Sequence, residues 1–450
     1  MLGEKFEEFV DGLQIASIEE ETKRVKEITK RLNKSFRDLD NEEIENSHIV
    51  GSLGRDTAIK TFSDVDMLYV LPKELKNQYD EYEGNGQSKL LQKVKQEIKK
   101  RYPKTIVRGD GQVVVVSFES INKTVEVCPC FERTDGAYDY PDSNNGGSWK
   151  KTDPMPEIDE SIKVIDETNS NYKYVCNIVR AWKNNKGFKF GGLLIDTLVY
   201  NFFNENENYK DSTFDDYLSL LKDLFYYLKT RNKDQKYWYA LGSNQKVYNK
   251  GGAFVNQAKK AYEKIKDKTE DSEDLYEKLQ DIFGKAFPIP EEIQESNVIE
   301  KSALFGRSVR QTEEFIEHKF DVDIRYHLKI DCIVKQDGFR NKFLRNILRD
   351  KLPLKANKSL EFFITENEFE TLSKDDEDNL YYEVYWKVLN RGEEAIRRDC
   401  IRGQIVRDKG THKKFESTNF KGEHYVECYI VYKNVCVAKD RISVPISTIN

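Results

Sequence analysis

The sequence predicts an α+β protein in which a small mixed sheet packed with helices precedes a helical lobe and a C-terminal all-β sandwich. In the first third of the chain, short β-forming runs at 67–71, 111–118 and 124–129 alternate with amphipathic helical patterns. Residues 166–285 keep a helical spacing of apolar side chains. After residue 301, apolar residues alternate at period two in several short segments, which is typical of a sandwich.

Turn and breaker residues define the elements between these runs. The second and third β-forming runs are predicted to form a hairpin, because residues 122–123 favour a turn and Pro129 ends the second strand. Residues 131–165 are rich in Gly, Asp, Asn and Pro, so we expect a long loop there. Trp149 in this loop either forms a lid or stacking wall, or simply packs the loop down.

Length and composition indicate a soluble globular protein. The 450 residues suffice for two or three domains with buried cores, and 38% of them are hydrophobic against 34% charged. There is no run of 18 or more apolar residues and no signal-peptide pattern, so no membrane span is expected. Seven scattered cysteines, an odd number, do not suggest a disulfide framework, and a cytoplasmic location is expected.

The formal net charge is −6. A protein that grips long nucleic acid through its phosphates usually carries a basic surplus, so this charge argues against a large RNA or DNA substrate. The net charge does not argue against small phosphorylated substrates, because they need only a local cationic cluster and a metal ion.

The most informative stretch is a Gly-Ser turn followed by a strand with two aspartates. Gly51 and Ser52 begin a turn and a short helix, whose free N–H groups favour a phosphate. Asp64 and Asp66 alternate along the next strand, so both carboxylates face one side and offer hard oxygen ligands for Mg²⁺. A metal ion and a phosphate are therefore expected side by side, as phosphoryl transfer requires. The alternative is an ordinary turn and a solvated Asp-x-Asp pair.

Glu126 is the candidate for a third acid. It lies in the apolar run 124–129, where a lone carboxylate is costly to bury without a partner or a metal ion. We favour a third metal ligand. The alternative is a strand residue that faces water, since Thr124, Glu126 and Cys128 share one side of the strand.

The order of Gly51-Ser52, Asp64-x-Asp66 and Glu126 resembles the signature of polymerase-β-type nucleotidyltransferases. The strings at 51–59 and 63–66 more specifically resemble the bacterial cGAS/DncV-like nucleotidyltransferases (CD-NTases). Members of that family make oligonucleotide signals, usually cyclic, in antiphage defence. Many relatives carry Asp at the third acid position, and the longer side chain of Glu126 can also ligate Mg²⁺.

The resemblance implies a two-metal mechanism. Asp64, Asp66 and Glu126 would hold two Mg²⁺ ions about 4 Å apart, with Mn²⁺ as a substitute. Gly51 and Ser52 would hold the β- and γ-phosphates of a donor NTP or dNTP. The 3′-hydroxyl of a second nucleotide would attack the donor α-phosphate in line, and pyrophosphate would leave.

Two basic residues and one aromatic residue are further candidates on the same resemblance. Lys183, in the helical stretch 171–184, would contact the donor phosphates, or it lies on a solvated helix face. Arg55 would touch phosphate or brace the turn, with a structural salt bridge as the alternative. Tyr239 would stack on a nucleobase, or it belongs to the core.

Residues 385–395 and 424–431 resemble the AGS-C domain, a module that accompanies CD-NTases and is proposed to sense nucleotides. The alternative is a sandwich that only docks on the lobe or mediates assembly. The predicted organisation is a nucleotidyltransferase catalytic core at 1–165, a helical lobe completing the nucleotide pocket at 166–287, a linker at 288–301 and an AGS-C-like sandwich at 302–450.

Three functions compete. The preferred one is a template-independent synthase of an oligonucleotide signal, cyclic or linear. The second is an enzyme of the same fold that tails RNA or nucleotidylates a protein, against which the acidic charge and the AGS-C-like segment argue. The third is a non-catalytic nucleotide sensor, against which the three acids argue. A downstream effector that binds the product or this protein is expected, a homo-oligomer is allowed, and no membrane contact is expected.

Overall fold

The structure is a computed structural model of the chain. It describes residues 2–249, 251–291, 313–335, 338, 340–370, 381–390, 393–397, 402–418 and 421–447. The chain divides into two compact units, and each is described by itself. The first comprises Met1–Trp182 and Phe190–Phe287, and the second comprises Lys183–Lys189 and Pro288–Asn450.

The first unit contains both helices and strands. Its helices are α1 (Leu2–Asp11), α2 (Glu19–Arg37), α3 (Gly51–Gly54), α4 (Glu74–Asp80), α5 (Gly86–Arg101), α6 (Pro154–Glu167), α7 (Asn171–Lys186, whose last turn counts with the second unit), α8 (Gly192–Glu205), α9 (Tyr217–Lys229), α10 (Ala253–Ile265) and α11 (Leu275–Phe283). Its strands are β1 (Ser47–Ile49), β2 (Asp64–Val70), β3 (Ile106–Asp110), β4 (Val113–Phe118), β5 (Lys123–Glu132), β6 (Tyr138–Asp142), β7 (Ser148–Thr152), β8 (Tyr237–Tyr239) and β9 (Lys246–Tyr248).

These strands form one mixed sheet and a small hairpin. In the sheet the order is β1-β2-β5-β4-β3, and β6 pairs with β5 and with β7. β2 and β5 run parallel, whereas the other neighbouring pairs are antiparallel. The hairpin consists of β8 and β9. The mixed sheet predicted from the sequence is therefore confirmed.

The core that supports the sheet lies between one of its faces and helices α2 and α5. Val65 and Met67 of β2 are fully buried in it. Ile28 of α2 and Leu90 and Val94 of α5 are buried in the same cluster. Because side chains alternate along a strand, the residues of β2 on either side of Val65 point away from this core, toward the other face.

Two predictions for the strands after β4 were wrong. The stretch 131–165 is not one long loop, because it contains β6, β7 and most of α6. Pro129 does not end β5, which continues to Glu132. The predicted hairpin of β4 and β5 is confirmed, with Asn122 in the left-handed conformation at its turn.

The rest of the first unit is mainly helical, as predicted for 166–285, although the hairpin β8–β9 interrupts the helices. Buried aromatic rings hold it together. Trp182 packs edge-on against Phe225, and Phe254 stacks on Phe190. The four rings are almost completely buried. The division of this unit into a core at 1–165 and a lobe at 166–287 stays a prediction.

The second unit is rich in strands. These are β10 (Asp321–Val322), β11 (Leu328–Lys335), β12 (Lys342–Phe343), β13 (Leu354–Lys355), β14 (Ser359–Asn367), β15 (Glu383–Leu389), β16 (Ile405–Arg407), β17 (Lys413–Ser417), β18 (Gly422–Tyr432) and β19 (Val435–Ser447), with the short helices α12 (Leu344–Arg349) and α13 (Glu393–Arg397).

Two sheets of the second unit enclose a common core, which confirms the predicted sandwich. One sheet has the order β10-β19-β18-β15-β16 with β13 beside β19, and the other has the order β12-β11-β14-β17. Trp386 and Cys428 from the first sheet are buried in one cluster with Ile330 and Phe362 from the second. Residues 292–301 of the predicted linker at 288–301 lie outside the described residues. The start of the predicted sandwich, residues 302–312, lies outside them as well.

No helix in the described ranges combines the length and the apolar character that crossing a membrane requires.

Candidate active site

Strand β2 presents its two aspartates on the face of the sheet opposite the main core. Asp64 and Asp66 are partly exposed, whereas Val65 and Met67 are buried. The alternation follows from the pleat of a strand. The sequence therefore predicted correctly that these two carboxylates share one side.

Strand β5 brings Glu126 next to Asp66. The two strands are parallel, with Asp66 opposite Glu126 and Asp64 opposite Thr124. Residues directly opposite each other in neighbouring strands point to the same face. Val115 of β4 flanks Glu126 on its other side. The three acids predicted from the sequence thus stand on one face of two adjacent strands.

Hydroxyl groups hold the side chain of Asp64. The Ser63 Oγ donates to Asp64 Oδ2 at 3.0 Å, and the Thr124 hydroxyl donates to the other oxygen, Oδ1. Both contacts orient the carboxylate beside that of Asp66 without neutralising its charge. A hydroxyl is a partner that a cation can displace, because a neutral hydroxyl leaves the negative charge of the carboxylate in place.

The thiol of Cys128 lies one alternation further along β5 on the same side. Burial raises its pKa to about 12, and the negative charges of Asp66 and Glu126 add to the rise. This thiol therefore stays protonated at physiological pH and is not a reactive nucleophile.

The donor set fits Mg²⁺ better than a softer metal. Three carboxylates provide hard oxygen ligands, which suit Mg²⁺. No group of three or more His, Cys, Asp and Glu side chains in the described part of the chain already has the arrangement of a metal site. The hydroxyl contacts of Asp64 give one physical reason, because they fix the orientation of its carboxylate oxygens.

The Gly-Ser turn lies directly against Asp66. Val50 N donates to the Asp66 carbonyl at 2.9 Å, and Gly51 follows with a φ of +67°. A Cβ on Gly51 would lie 1.8 Å from Asp66 Oδ2. Only glycine combines this backbone angle with so close an approach to the carboxylate. Helix α3 then begins with Gly51 and Ser52 at its first turn.

Arg55 forms the buried salt bridge that the sequence left open. Arg55 is 4% exposed, and its Nε donates to Asp196 Oδ2 at 2.9 Å. Glu157 lies 3.7 Å from the same guanidinium. These partners are those of a residue that braces the turn, and a direct contact of Arg55 with phosphate stays a prediction.

Asp196 and Arg180 complete this buried group, and the sequence did not identify their partnership. Arg180 Nη1 lies 2.7 Å from Asp196 Oδ1, and Thr57 Oγ1 donates to Asp196 Oδ2 at 2.9 Å. Burial alone would raise the pKa of Asp196, but Arg180 and Arg55 outweigh burial and hold it below its ordinary value. The only signal in the sequence was a single aspartate inside the apolar run of α8.

Lys183 is buried at the last turn of α7, among residues of the second unit. Its Nζ lies 3.1 Å from Asp323 Oδ1 and donates to the Ile324 carbonyl at 2.8 Å. The predicted contact with donor phosphates stays a prediction. For that contact the ammonium would have to exchange these partners for the phosphates.

The two aromatic candidates differ in their surroundings. Tyr239 is 58% exposed, so it does not belong to the core. It lines a cavity of about 830 Å³ between α6, α8 and residues 235–244. Trp149 stacks edge-on against Phe131 and donates to Asp80, so it packs its strand onto the core of the first unit.

Two family models match the chain. Residues 1–164 match the Second Messenger Oligonucleotide or Dinucleotide Synthetase (SMODS) domain, and residues 310–447 match the Adenylyl/Guanylyl and SMODS C-terminal sensor (AGS-C) domain. With the three acids and the Gly-Ser turn, the first match defines the chain as a nucleotidyltransferase. The chain therefore carries a SMODS domain followed by a C-terminal AGS-C domain, which bears out the resemblance to the cGAS/DncV-like nucleotidyltransferases stated from the sequence.

Individual relatives are distant. A probable cyclic nucleotide synthase from Bacillus cereus (strain VD146) is 22% identical over 277 residues, which cover 54% of this chain and 82% of that protein. The solved structure of E. coli MS115-1 CdnC with ATP gives a TM-score of 0.48 at 16% identity, covering 64% of this chain and 99% of that one. Vibrio cholerae DncV bound to 3′-deoxy ATP gives 0.43 at 13% identity, covering 54% and 69%.

Proposed function

We propose that this protein joins nucleoside triphosphates into an oligonucleotide signal, cyclic or linear, and releases pyrophosphate, as part of antiphage defence. One observation supports the proposal above the others. Asp64, Asp66 and Glu126 share one partly exposed face of two parallel strands, and the Gly-Ser turn lies against Asp66. This combination suits a reaction at a phosphate next to a divalent cation.

Asp64, Asp66 and Glu126 would hold the Mg²⁺ ions, with Mn²⁺ as a substitute. Bound there, the cations would stabilise the charge on the phosphate oxygens and favour ionisation of the attacking 3′-hydroxyl. Thr124 and Ser63 would orient Asp64 for this task, since their hydroxyls already contact it.

The turn would hold the donor nucleotide. Gly51 carries no side chain, so the backbone at the start of α3 can approach both the Asp66 carboxylate and a phosphate. The hydroxyl of Ser52 would donate to a β- or γ-phosphate oxygen, and Lys183 would provide a positive charge for the leaving pyrophosphate. Fixing donor and acceptor in line supplies much of the rate enhancement in phosphoryl transfer.

The test is to incubate the purified protein with Mg²⁺ and labelled NTPs or dNTPs, alone and with added RNA, and to analyse products by mass spectrometry. We expect a free oligonucleotide and pyrophosphate. The matched control carries Asp64→Asn and Asp66→Asn, which keep the shape of both side chains and should abolish the product, as should chelation by EDTA.

The same experiment separates the competing functions. Label on the added RNA or on protein would support a tailing or nucleotidylating enzyme instead. Wild-type-like turnover by the doubly substituted protein would contradict the proposed site. For the biological role, we expect cells that produce the active protein, but not the doubly substituted one, to resist phage infection. An effector that binds the product or this protein, and a homo-oligomer, remain expectations.

A further inference from the structure

A buried group of charges links three separate segments of the first unit. Asp196 on α8 is completely buried and lies within 2.9 Å of Arg55 Nε and 2.7 Å of Arg180 Nη1. Thr57 connects the group further, because its hydroxyl donates to Asp196 and accepts from Arg180 Nη2 at 3.1 Å. Charges taken out of water are costly unless they are paired in good geometry, so each member depends on the others.

The backbone between these side chains is also fixed. Ser161 Oγ on α6 donates to the carbonyl of Arg55 at 2.7 Å. Asn177 Nδ2 on α7 donates to the carbonyls of Thr57 and Ala58 at 2.9 and 3.1 Å. The segment from Arg55 to Ala58 is therefore held by side chains of α6, α7 and α8 together.

This segment in turn closes the Gly-Ser turn. The amides of Thr57 and Ala58 donate to the Ser52 carbonyl at 2.9 and 3.2 Å, and the amide of Arg55 donates to the Gly51 carbonyl at 3.1 Å. Gly51 lies against the carboxylate of Asp66. Direct contacts thus lead from Asp196 through Thr57 and Ser52 to the acid face of the sheet.

We infer that Asp196 is a positioning residue for nucleotidyl transfer, which acts by fixing the Gly-Ser turn beside Asp66. The inference rests on the proposed function, in which this turn holds the donor phosphates. Loss of the negative charge would leave Arg55 and Arg180 buried with one counter-ion fewer, and the turn would shift as they seek other partners. Small displacements of groups that position a substrate cost up to about 100-fold in rate.

The test compares Asp196→Asn with Glu97→Gln as a matched control. Glu97 on α5 is also buried and bonds to Arg31, Lys93 and Lys100, but α5 packs against the face of the sheet opposite the acids. Both variants lose a buried carboxylate charge among cations. We would measure melting temperature, and kcat and KM by pyrophosphate release for the nucleoside triphosphate that the wild type uses, at a temperature where both variants are folded.

We expect Asp196→Asn to lower kcat at least about tenfold, with a smaller change in KM, because the turn still binds phosphate but no longer aligns it. Glu97→Gln should lower the melting temperature and leave kcat near the wild-type value. If Asp196→Asn does not fold, Thr57→Val takes its place, since it removes only the hydroxyl that joins Asp196 to the segment. Equal kcat per folded molecule in the Asp196 or Thr57 variant and in Glu97→Gln would overturn the inference.

A second readout does not depend on activity. Hydrogen exchange of the Thr57 and Ala58 amides, which bond to Ser52, should become faster in Asp196→Asn and stay unchanged in Glu97→Gln. Unchanged exchange in Asp196→Asn would overturn the inference even if its kcat fell. Wild-type protein that makes no nucleotide product would instead count against the proposed function, whatever the exchange rates.

Discussion

At the scale of single residues, Gly51 is a position beside the acids where the structure leaves no room for a side chain. We predict that Gly51→Ala abolishes most turnover, because a methyl group would displace the Asp66 carboxylate. The positive φ adds a cost of about 1–2 kcal/mol in stability. Turnover and thermal unfolding measure the two effects.

A control at a second glycine distinguishes the effect of the contact with Asp66 from the effect of the positive φ. Gly136 has a φ of +82°, and a Cβ there would meet nothing within 4 Å. Gly136→Ala should therefore cost a similar amount of stability and leave turnover unchanged. Equal activity of the two variants would show that Gly51 matters only for its backbone angle.

The buried carboxylates of Asp196 and Glu157 predict opposite responses to pH. Arg180 and Arg55 outweigh burial and lower the pKa of Asp196, so its contribution to stability is present above about pH 4 and is lost as pH falls through the folded pKa. Burial raises the pKa of Glu157, so its ionisation costs stability as pH rises through the folded pKa.

Thermal unfolding between pH 3 and 8 tests the direction in which each carboxylate changes stability with pH. The destabilisation caused by Asp196→Asn should shrink toward pH 3. Glu157→Gln, whose side-chain oxygen can still accept from Ser243, should become more stable relative to the wild type as pH rises. Slopes of the same sign for the two variants would contradict the assignment.

The sequence pattern predicted the acids of the candidate site. It did not predict the buried charged residues that fix the Gly-Ser turn beside them. Asp64 and Asp66 are two apart on one strand, so the pleat alone decides that they share a face. Asp196 and Arg55 are 141 positions apart, and nothing local in the sequence states that they meet. A lone aspartate in an apolar helix signals a buried partner but does not identify it.

At the scale of elements, strand β5 shows why a proline was misinterpreted. Cys130 accepts from the Leu71 amide through its carbonyl, so the backbone of Pro129 faces the opposite edge of the strand. On that edge β4 pairs only as far as Val127, and β6 begins to pair at Phe131. Pro129 therefore lies where no hydrogen bond is needed, which a single sequence cannot reveal.

Helix α7 carries a prediction about Lys183. If its ammonium also serves the donor phosphates, Asp323→Asn should lower KM for the NTP, because it removes the competing carboxylate. Lys183→Gln should then raise KM and lower kcat, because the ammonium would serve both the bound phosphates and the leaving pyrophosphate. Steady-state kinetics on both variants is the measurement.

The control for this pair is Asn184→Ala, which removes the neighbouring hydrogen bonds to Val322 and Ile324 without changing charge. It should leave KM unaltered. Should none of the three substitutions change KM, Lys183 has a purely structural role at the end of α7.

At the scale of the whole molecule, the folding unit is longer than the stretch that carries the signature. The SMODS match ends at residue 164, whereas the first compact unit extends to Phe287. A fragment of residues 1–164 would keep Arg55 but lose Asp196, and the segment 55–58 after α3 would lose its contacts with α7 and α8. We predict that this fragment does not fold cooperatively, whereas residues 1–287 do. Near-ultraviolet circular dichroism and thermal unfolding test this, and a native-like melt of the shorter fragment would contradict it.

The dependence of the Gly-Ser turn on distant helices also limits how genes of this family can exchange parts. A chimaeric protein whose two parental sequences join between residues 58 and 177 would combine the turn of one parent with the Asn177, Arg180 and Asp196 positions of the other. The buried charged group of such a chimaera would stay paired only if both parents carry compatible residues at these positions. Chimaeras with crossover points before codon 51 or after codon 196 should therefore survive selection more often than those cut in between.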